Sequence, residues 1–145
     1  MTRASTASPS PEVAYVDSSA IVKRVIDETE STALEAWLDA ETPRVVTSRV
    51  AWIEVLRAAR VAVGSDGVEP ARRALAAHDI LELTPLVADE AARLASDQIR
   101  SLDAVHLASA LVCAADLLIT YDRRLAQAAR ELGLRVEHPG VAPER

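Results

Sequence analysis

Short apolar runs alternate along this chain with longer segments in which apolar residues recur every three or four positions. The short runs predict β-strands, and the longer periodic segments predict amphipathic helices. The predicted strands lie at residues 13–16, 45–46, 80–83, 117–120 and 134–137. The first predicted helix begins at residue 18 or 19. The other predicted helices cover residues 31–40, 49–63, 69–78, 87–98, 101–115 and 123–132. This alternation predicts a single three-layer α/β domain, in which helices flank a parallel sheet of four to five strands.

Both ends of the chain lack the periodic pattern, so we expect the folded domain at residues 13–137 of the 145. Residues 1–12 are mainly Ser, Thr, Ala and Pro without the apolar core of a signal peptide, which predicts a disordered leader. Residues 138–145 contain two prolines and no apolar period, which predicts a flexible tail.

Composition narrows the class of protein. Half of the residues are apolar and Phe is absent, which predicts an aliphatic core. The single cysteine, Cys113, cannot form a disulfide within the chain, so we expect a cytoplasmic protein. No apolar run approaches the roughly 20 residues of a membrane span. The net charge of −6 argues against binding nucleic acid by charge alone, but it permits a nucleic-acid enzyme whose site holds a metal ion.

Carboxylates stand where predicted strands end and where the following helices begin. Asp17 directly follows the first strand, and Asp122 follows the fourth strand by two residues. Asp103 lies in the first turn of its helix, and Glu54 lies near the second turn of the helix after the second strand. Ligands of parallel sheets bind beyond the carboxyl ends of the strands, so we expect these side chains to face one end of the sheet.

Carboxylates gathered at one place repel each other unless they take up protons or bind a cation. Two like charges about 4 Å apart cost roughly 4 kcal/mol at an effective dielectric of 20. Oxygen ligands favour Mg²⁺ or Mn²⁺, and the chain has no Cys/His pair with the spacing of a zinc site. The pattern therefore favours magnesium or manganese over zinc.

Each carboxylate also has a purely structural interpretation. Asp17 and Asp122 are suited to cap the helices that follow them, and Asp103 is suited to the positive end of its own helix dipole. Glu54 is suited to pair with Arg57 on the same helix. Charge placement alone leaves both interpretations open.

Polar residues beside the carboxylates are further candidates. His106 lies three residues after Asp103 and shares its helix face, and we favour a hydrogen-bonded packing histidine over a catalytic imidazole. Ser18, Ser19 and Thr120 are candidates for hydrogen bonds to the carboxylates or for capping alone.

Three segments of the chain resemble the acidic motifs of PIN-domain proteins. Val16–Lys23 resembles the first motif, Ser101–Ala108 the third, and Thr120–Leu125 the fourth. Glu54 occupies the place of the second motif. The resemblance spans residues 13–137, and in length and motif style the chain is most similar to the VapC toxins of bacterial toxin–antitoxin pairs.

The resemblance implies a PIN-like fold and a Mg²⁺- or Mn²⁺-dependent endoribonuclease that hydrolyses RNA phosphodiester bonds. It implies Asp17 and Asp103 as the principal metal ligands, and Glu54 and Asp122 as the remaining catalytic carboxylates. It also implies a homodimer that a VapB-type antitoxin holds inactive. The basic candidates for holding the RNA backbone are Lys23, Arg24, Arg49, Arg100, Arg123 and Arg124.

Other α/β proteins with an acidic Mg²⁺ pocket are the alternatives. An aspartyl-phosphate phosphatase has a second Asp two residues after the first, where this chain has Ser19. A phospho-receiver domain needs an acceptor Asp after a central strand and a late Lys, whereas residues 45–46 lead to Thr47 and Ser48. A binding module with a decayed site is the third alternative, and the complete set of carboxylates argues against it.

Overall fold

The computed structural model of the protein describes residues 9–94 and 96–142, so residues 1–8 of the predicted leader and 143–145 of the predicted tail lie outside the described residues. The strands are β1 (Val13–Val16), β2 (Arg44–Ser48), β3 (Asp79–Leu81), β4 (Leu117–Ile119) and β5 (Arg135–Glu137). The helices are α1 (Ser18–Val25), α2 (Ser31–Glu41), α3 (Arg49–Val63), α4 (Val68–Ala76), α5 (Pro85–Arg93), α6 (Ser101–Val112) and α7 (Arg123–Glu131). None of the helices in the described ranges is both long enough and apolar enough to cross a membrane.

The five strands form one parallel sheet in the order β3-β2-β1-β4-β5. This confirms the predicted three-layer α/β domain, with five strands. The central strand β1 pairs with β2 on one side and β4 on the other, where Val16 lies opposite Ile119. The chain places β2 and β3 outward on one side of β1 and then returns to place β4 on the other. The carboxyl ends of β1 and β4 therefore flank the point at which the strand order reverses, which is where parallel sheets bind ligands.

Side chains of β1 alternate between two cores because successive residues of a strand face opposite sides of the sheet. Ala14 and Val16 belong to the core that α1, α2, α3 and α4 cover. Tyr15 belongs to the opposite core, together with Leu107 of α6 and Leu125 of α7. Helices thus cover both faces and leave the strand ends free to carry polar groups.

The bounds of α5 differ from the predicted helix at residues 87–98. The Thr84 hydroxyl accepts a hydrogen bond from the backbone N–H of Val87 at 3.3 Å, and Pro85 occupies the first turn. This cap begins the helix two residues earlier than the apolar period does. The helix ends at Arg93, and Leu94 and residues 96–100 before α6 are not helical.

The chain contacts the domain beyond the predicted limit at residue 137. The Tyr121 hydroxyl donates a hydrogen bond to the Pro139 carbonyl at 2.8 Å. Gly140 has a φ of +90°, and a Cβ there would lie 2.9 Å from the Cβ of Ala33 on α2, so this close approach requires glycine. The limits assigned to leader, domain and tail stay predictions.

Candidate active site

Asp17 lies at the carboxyl end of β1 and is held by hydrogen bonds on both carboxylate oxygens. Its Oδ1 accepts from the Ser19 hydroxyl at 2.7 Å and from the backbone N–H of Ala20 at 3.1 Å. Its Oδ2 accepts from the Thr120 hydroxyl at 2.7 Å. Asp17 therefore caps α1, as the structural interpretation expects, while hydroxyls from α1 and from the residue after β4 fix its orientation.

The charge of Asp17 is only partly compensated. The side chain is buried, and burial raises the pKa of its carboxyl above the ordinary value. The positive charge of His106 and the hydroxyls of Thr120 and Ser19 lower the pKa, but by less than burial raises it. A cation beside Asp17 would stabilise its ionised form.

Asp122 begins α7 and shares Thr120 with Asp17. Its Oδ1 accepts from the backbone N–H groups of Arg124 at 2.9 Å and Leu125 at 3.2 Å. Its own backbone N–H donates to the Thr120 hydroxyl at 3.0 Å. Asp122 thus caps α7 and also lies beside the end of β4, as predicted.

Asp103 occupies the first turn of α6 and turns back toward the preceding residues. Its Oδ2 accepts from the backbone N–H of Arg100 at 3.2 Å, so the carboxylate closes the start of the helix. Asp103 and Asp122 line one cavity of about 410 Å³, whose other lining residues are Arg100, Arg123 and Arg124. The starts of α6 and α7 therefore place two of the predicted carboxylates on a common cavity.

Glu54 of α3 contacts the site through His106 of α6. The His106 Nε2–H donates to Glu54 Oε1 at 2.7 Å, and the Ser18 hydroxyl lies 3.4 Å from the same nitrogen. The other ring nitrogen, Nδ1, lies 2.6 Å from the hydroxyl oxygen of the fully buried Tyr15. Glu54 therefore pairs with His106 rather than with Arg57, the partner that its helical spacing suggested.

The contact between Glu54 and His106 favours the charged form of both side chains. Burial alone would raise the pKa of Glu54, but the hydrogen bond and positive charge of His106 outweigh it, so the pKa lies below its ordinary value. Burial would lower the pKa of His106, but the hydrogen bond to Glu54 and the negative charges of Asp17, Glu54 and Asp103 raise it above its ordinary value. Three of the four predicted carboxylates thus act on one imidazole.

The donor set fits a hard divalent cation in its chemistry, because every predicted ligand is a carboxylate oxygen. Within the described ranges, no three or more His, Cys, Asp or Glu side chains form a group that could hold a metal ion by themselves. A hard cation that keeps several waters needs only one or two carboxylates from the protein. The residues therefore fit an ion of this kind, with water and substrate as its other ligands, and not a closed cage of protein ligands.

His106 is the residue whose place in the site sequence reasoning underrated. The favoured interpretation was a hydrogen-bonded packing histidine, and His106 is buried and hydrogen-bonded. Its partner, however, is the candidate catalytic carboxylate Glu54. The three-residue spacing from Asp103 to His106 was the available signal, since it places both on one face of α6.

Comparison with known proteins settles the family. The PIN domain matches residues 14–131. The chain belongs to the PIN-domain family. This membership decides against the phosphatase and receiver alternatives.

Relatives within the PIN-domain family are ribonucleases by name. The chain is 44% identical over 127 residues to Ribonuclease VapC46 of Mycobacterium tuberculosis, a match that covers 86% of this chain and 96% of the relative. It is 41% identical over 133 residues to Ribonuclease VapC35 of the same species, covering 88% of this chain and 98% of the relative. The chain therefore belongs with the VapC proteins of the family.

A solved structure shares the fold of this PIN domain. A toxin–antitoxin complex from Klebsiella pneumoniae matches with a TM-score of 0.62 and 23% sequence identity, covering 75% of this chain and 86% of that chain. At this identity, the likeness shows the fold alone.

Proposed function

We propose that this PIN-domain protein is a VapC-type toxin, a metal-dependent endoribonuclease that hydrolyses RNA phosphodiester bonds and is neutralised by an antitoxin. One observation carries the proposal: His106 of α6 lies 2.7 Å from Glu54 of α3 and 3.4 Å from the hydroxyl of Ser18, the residue after Asp17, so the elements that carry the carboxylates meet at the strand ends. Asp103, on the same helix as His106, shares a cavity with Asp122. The relatives named as ribonucleases support the same activity.

The cofactor is a divalent metal ion, and Mg²⁺ or Mn²⁺ is the choice that carboxylate ligands favour. Asp17 and Asp103 would hold the ion, and Glu54 and Asp122 would complete the acidic site through water. When bound, such an ion lowers the pKa of a coordinated water and neutralises charge on the phosphoryl oxygens.

The protein's own residues position the acidic groups. Ser19 and Thr120 fix the Asp17 carboxylate in one orientation by donating to opposite oxygens. His106 holds Glu54 at 2.7 Å, so that Glu54 is oriented to accept a proton from the attacking water. Tyr15 fixes the His106 ring from the other side, so a buried chain of hydrogen bonds supports the candidate base.

The proposed partners are RNA, an antitoxin of the VapB type and a second copy of the chain. A basic antitoxin segment would neutralise the carboxylates, and the solved toxin–antitoxin complex of the same fold supports such a partner. For the homodimer, support comes from three leucines on or beside α5 and α6, Leu83, Leu86 and Leu102, which are 49%, 57% and 49% exposed. A second copy would cover these side chains if they form one apolar patch, since contiguous exposed apolar patches mark interaction surfaces.

Growth after expression in a bacterial host without the antitoxin tests the proposed toxin function. We expect the wild-type protein to arrest growth and the Asp103→Asn variant to leave growth unchanged. Asp66→Asn is the matched control, because Asp66 is exposed in the loop after α3, outside the site, and this variant should arrest growth like the wild type. Equal growth with the wild type and with Asp103→Asn would contradict the proposal.

A further inference from the structure

A second cavity adjoins the acidic site. It measures about 560 Å³ and lies between the end of α5, the segment that follows it, α6 and α7. Its floor is apolar and includes Leu94, Ile99, Leu107 and Ala128, all of which belong to or contact the core around Tyr15. Cavities of roughly 300–1,000 Å³ with an apolar lining are the usual binding sites of small molecules and their parts.

Arginines connect this cavity to the acidic site. Arg123 and Arg124 line both cavities, and Arg100 lines the one that contains Asp103 and Asp122. None of these three arginines forms an ion pair with a carboxylate of the residues that the structure describes. Unpaired arginines on a chain with a net charge of −6 mark a local site for an anion.

Three further polar groups of the cavity are suited to the edge of a nucleobase. The side-chain amides of Gln98 and Gln127 and the hydroxyl of Ser96 line it and supply donors and acceptors. Arg93 and Glu131 line it as well, and the Gln127 amide donates one hydrogen bond to Glu131 at 3.1 Å. Unstacked bases of single-stranded RNA stack on aromatic rings or guanidinium planes and form hydrogen bonds through their edges. The lining of this cavity offers guanidinium groups for stacking, together with an aliphatic floor. An acidic peptide would use the arginines equally, but it would not need the amides of Gln98 and Gln127 beside an apolar floor.

We propose that the cavity between α5, α6 and α7 binds the base of a nucleotide that flanks the scissile phosphate, while Arg123 and Arg124 hold the intervening backbone. The inference rests on the proposed RNA cleavage, because it assigns the cavity to that substrate. It makes the protein select RNA by an unstacked base rather than by its backbone alone. The α5–α6 segment and α7 then determine which sequences are cut.

Binding of two labelled oligomers tests this assignment without relying on cleavage. The probes are a fluorescein-labelled single-stranded 12-nucleotide RNA of mixed sequence and a 12-unit oligomer with tetrahydrofuran spacers in place of every nucleoside. Both carry the same number of phosphates, and fluorescence anisotropy in the presence of chelator gives a Kd for each. We expect the wild-type protein to bind the RNA about tenfold more tightly than the spacer oligomer, the lower end of what one base contributes on an aromatic side chain, because here the base lies on aliphatic side chains.

Two variants separate base binding from backbone binding. Ala128→Phe fills the cavity. This variant should bind the spacer oligomer as tightly as the wild type does, and it should bind the RNA no more tightly than the spacer oligomer. Ala40→Phe is its matched control, because Ala40 is exposed on α2 and lines neither cavity, and it should keep the wild-type preference. Arg124→Ala should weaken binding of both oligomers by the same factor.

A milder variant tests the cavity in case Ala128→Phe does not fold. Leu132 lines the cavity and is 43% exposed, so Leu132→Gln makes the wall polar without disturbing the core, and it should reduce the preference for RNA. A wild-type protein with equal affinity for both oligomers, or cavity variants that keep the full preference, would overturn the assignment. So would light scattering that shows a smaller assembly for Ala128→Phe, which would make the cavity an interface between copies. A protein that prefers RNA through this cavity but never cuts it with Mg²⁺ would contradict only the proposed nuclease function.

Discussion

Asp17 combines burial, negative charge and fixed orientation in one side chain. Its raised pKa means that the folded protein holds a proton on this carboxyl more tightly than the unfolded chain does, so stability is lost as the pH rises through the folded-state pKa. Ionisation of this carboxyl is therefore a cost to the fold, which a bound cation offsets. Such a conflict between stability and charge is typical of functional sites.

The Asp17→Asn variant tests whether the buried charge of Asp17 destabilises the fold, because asparagine cannot ionise. We expect the variant to melt a few degrees higher than the wild type in chelator at pH 7, since about 1 kcal/mol shifts the Tm of a chain of this size by roughly 2–4 °C. Adding Mg²⁺ should raise the Tm of the wild type and leave that of the variant unchanged. Differential scanning calorimetry measures both, and a variant that is stabilised by Mg²⁺ as much as the wild type would exclude Asp17 as a ligand.

His106 is a positioning residue, because it is buried and acts through its contact with Glu54. His106→Asn shortens the side chain and breaks the contact with Glu54, so we expect kcat for RNA cleavage to fall roughly 10- to 100-fold with little change in KM. His106→Gln can still donate toward Glu54 and should recover part of the loss. Equal kcat for the Asn and Gln variants, or a loss confined to KM, would show that His106 only packs.

At the scale of elements, three helix starts position the site. Asp17, Asp103 and Asp122 each accept hydrogen bonds at the beginning of a helix, so the structural interpretation is confirmed, while their role in catalysis stays a prediction. Sequence reasoning could place these residues because they stand directly after strands or at helix starts. Their positions along the chain alone fix the end of the sheet that they face.

Glu54 shows what element-level reasoning from sequence could not supply. Val50, Ile53 and Val55 lie on adjacent faces of α3, yet Ile53 is 60% exposed, while Val50 and Val55 are buried. Packing against α1 and the sheet sets the rotation of α3 about its axis. The sequence pattern does not determine this rotation, because apolar residues lie on several adjacent faces of the helix. The contact between Glu54 and His106 depends on that rotation.

His78, which follows α4, gives the fold a pH dependence away from the site. The ring is buried, its Nδ1 lies 2.8 Å from the Ala74 carbonyl oxygen, and Nε2 lies 3.4 Å from the Arg24 guanidinium. Burial and, to a lesser extent, the charge of Arg24 lower the pKa of His78 to about 4. In the unfolded chain His78 is therefore protonated near pH 6.5, whereas in the folded protein it is protonated only near pH 4. The free energy of unfolding decreases as the pH falls through this window.

Urea unfolding at two pH values tests the role of His78. Between pH 7 and pH 5 this histidine should lower the wild-type free energy of unfolding by about 2 kcal/mol. His78→Gln, which cannot be protonated, should lack that part of the decrease. The comparison uses the difference between the two proteins because other groups titrate in the same range. An identical decrease in both would show that His78 is protonated equally in the folded and unfolded chains.

For the whole molecule, the sequence was sufficient to predict a parallel sheet of four to five strands between helices, of which the structure has five, and the edge of the sheet at which Asp17 and Asp122 lie. Short apolar runs and 3.6-residue periods predict these features because the sheet is buried on both faces. The cavity between α5, α6 and α7 could not be predicted, since it depends on where α5 ends and how the following segment lies against α7. Capping at Thr84, rather than apolar period, sets the start of α5.

The central claim is that the protein hydrolyses RNA at the carboxylates near the strand ends and requires a divalent metal ion to do so. The most direct measurement is the single-turnover rate of cleavage of a labelled single-stranded RNA with Mg²⁺ and with chelator. We predict rapid cleavage by the wild type and by Asp66→Asn only with Mg²⁺, and a loss of at least about 100-fold in Asp17→Asn and Asp103→Asn. Equal rates in chelator, or unchanged rates in the two site variants, would contradict the account.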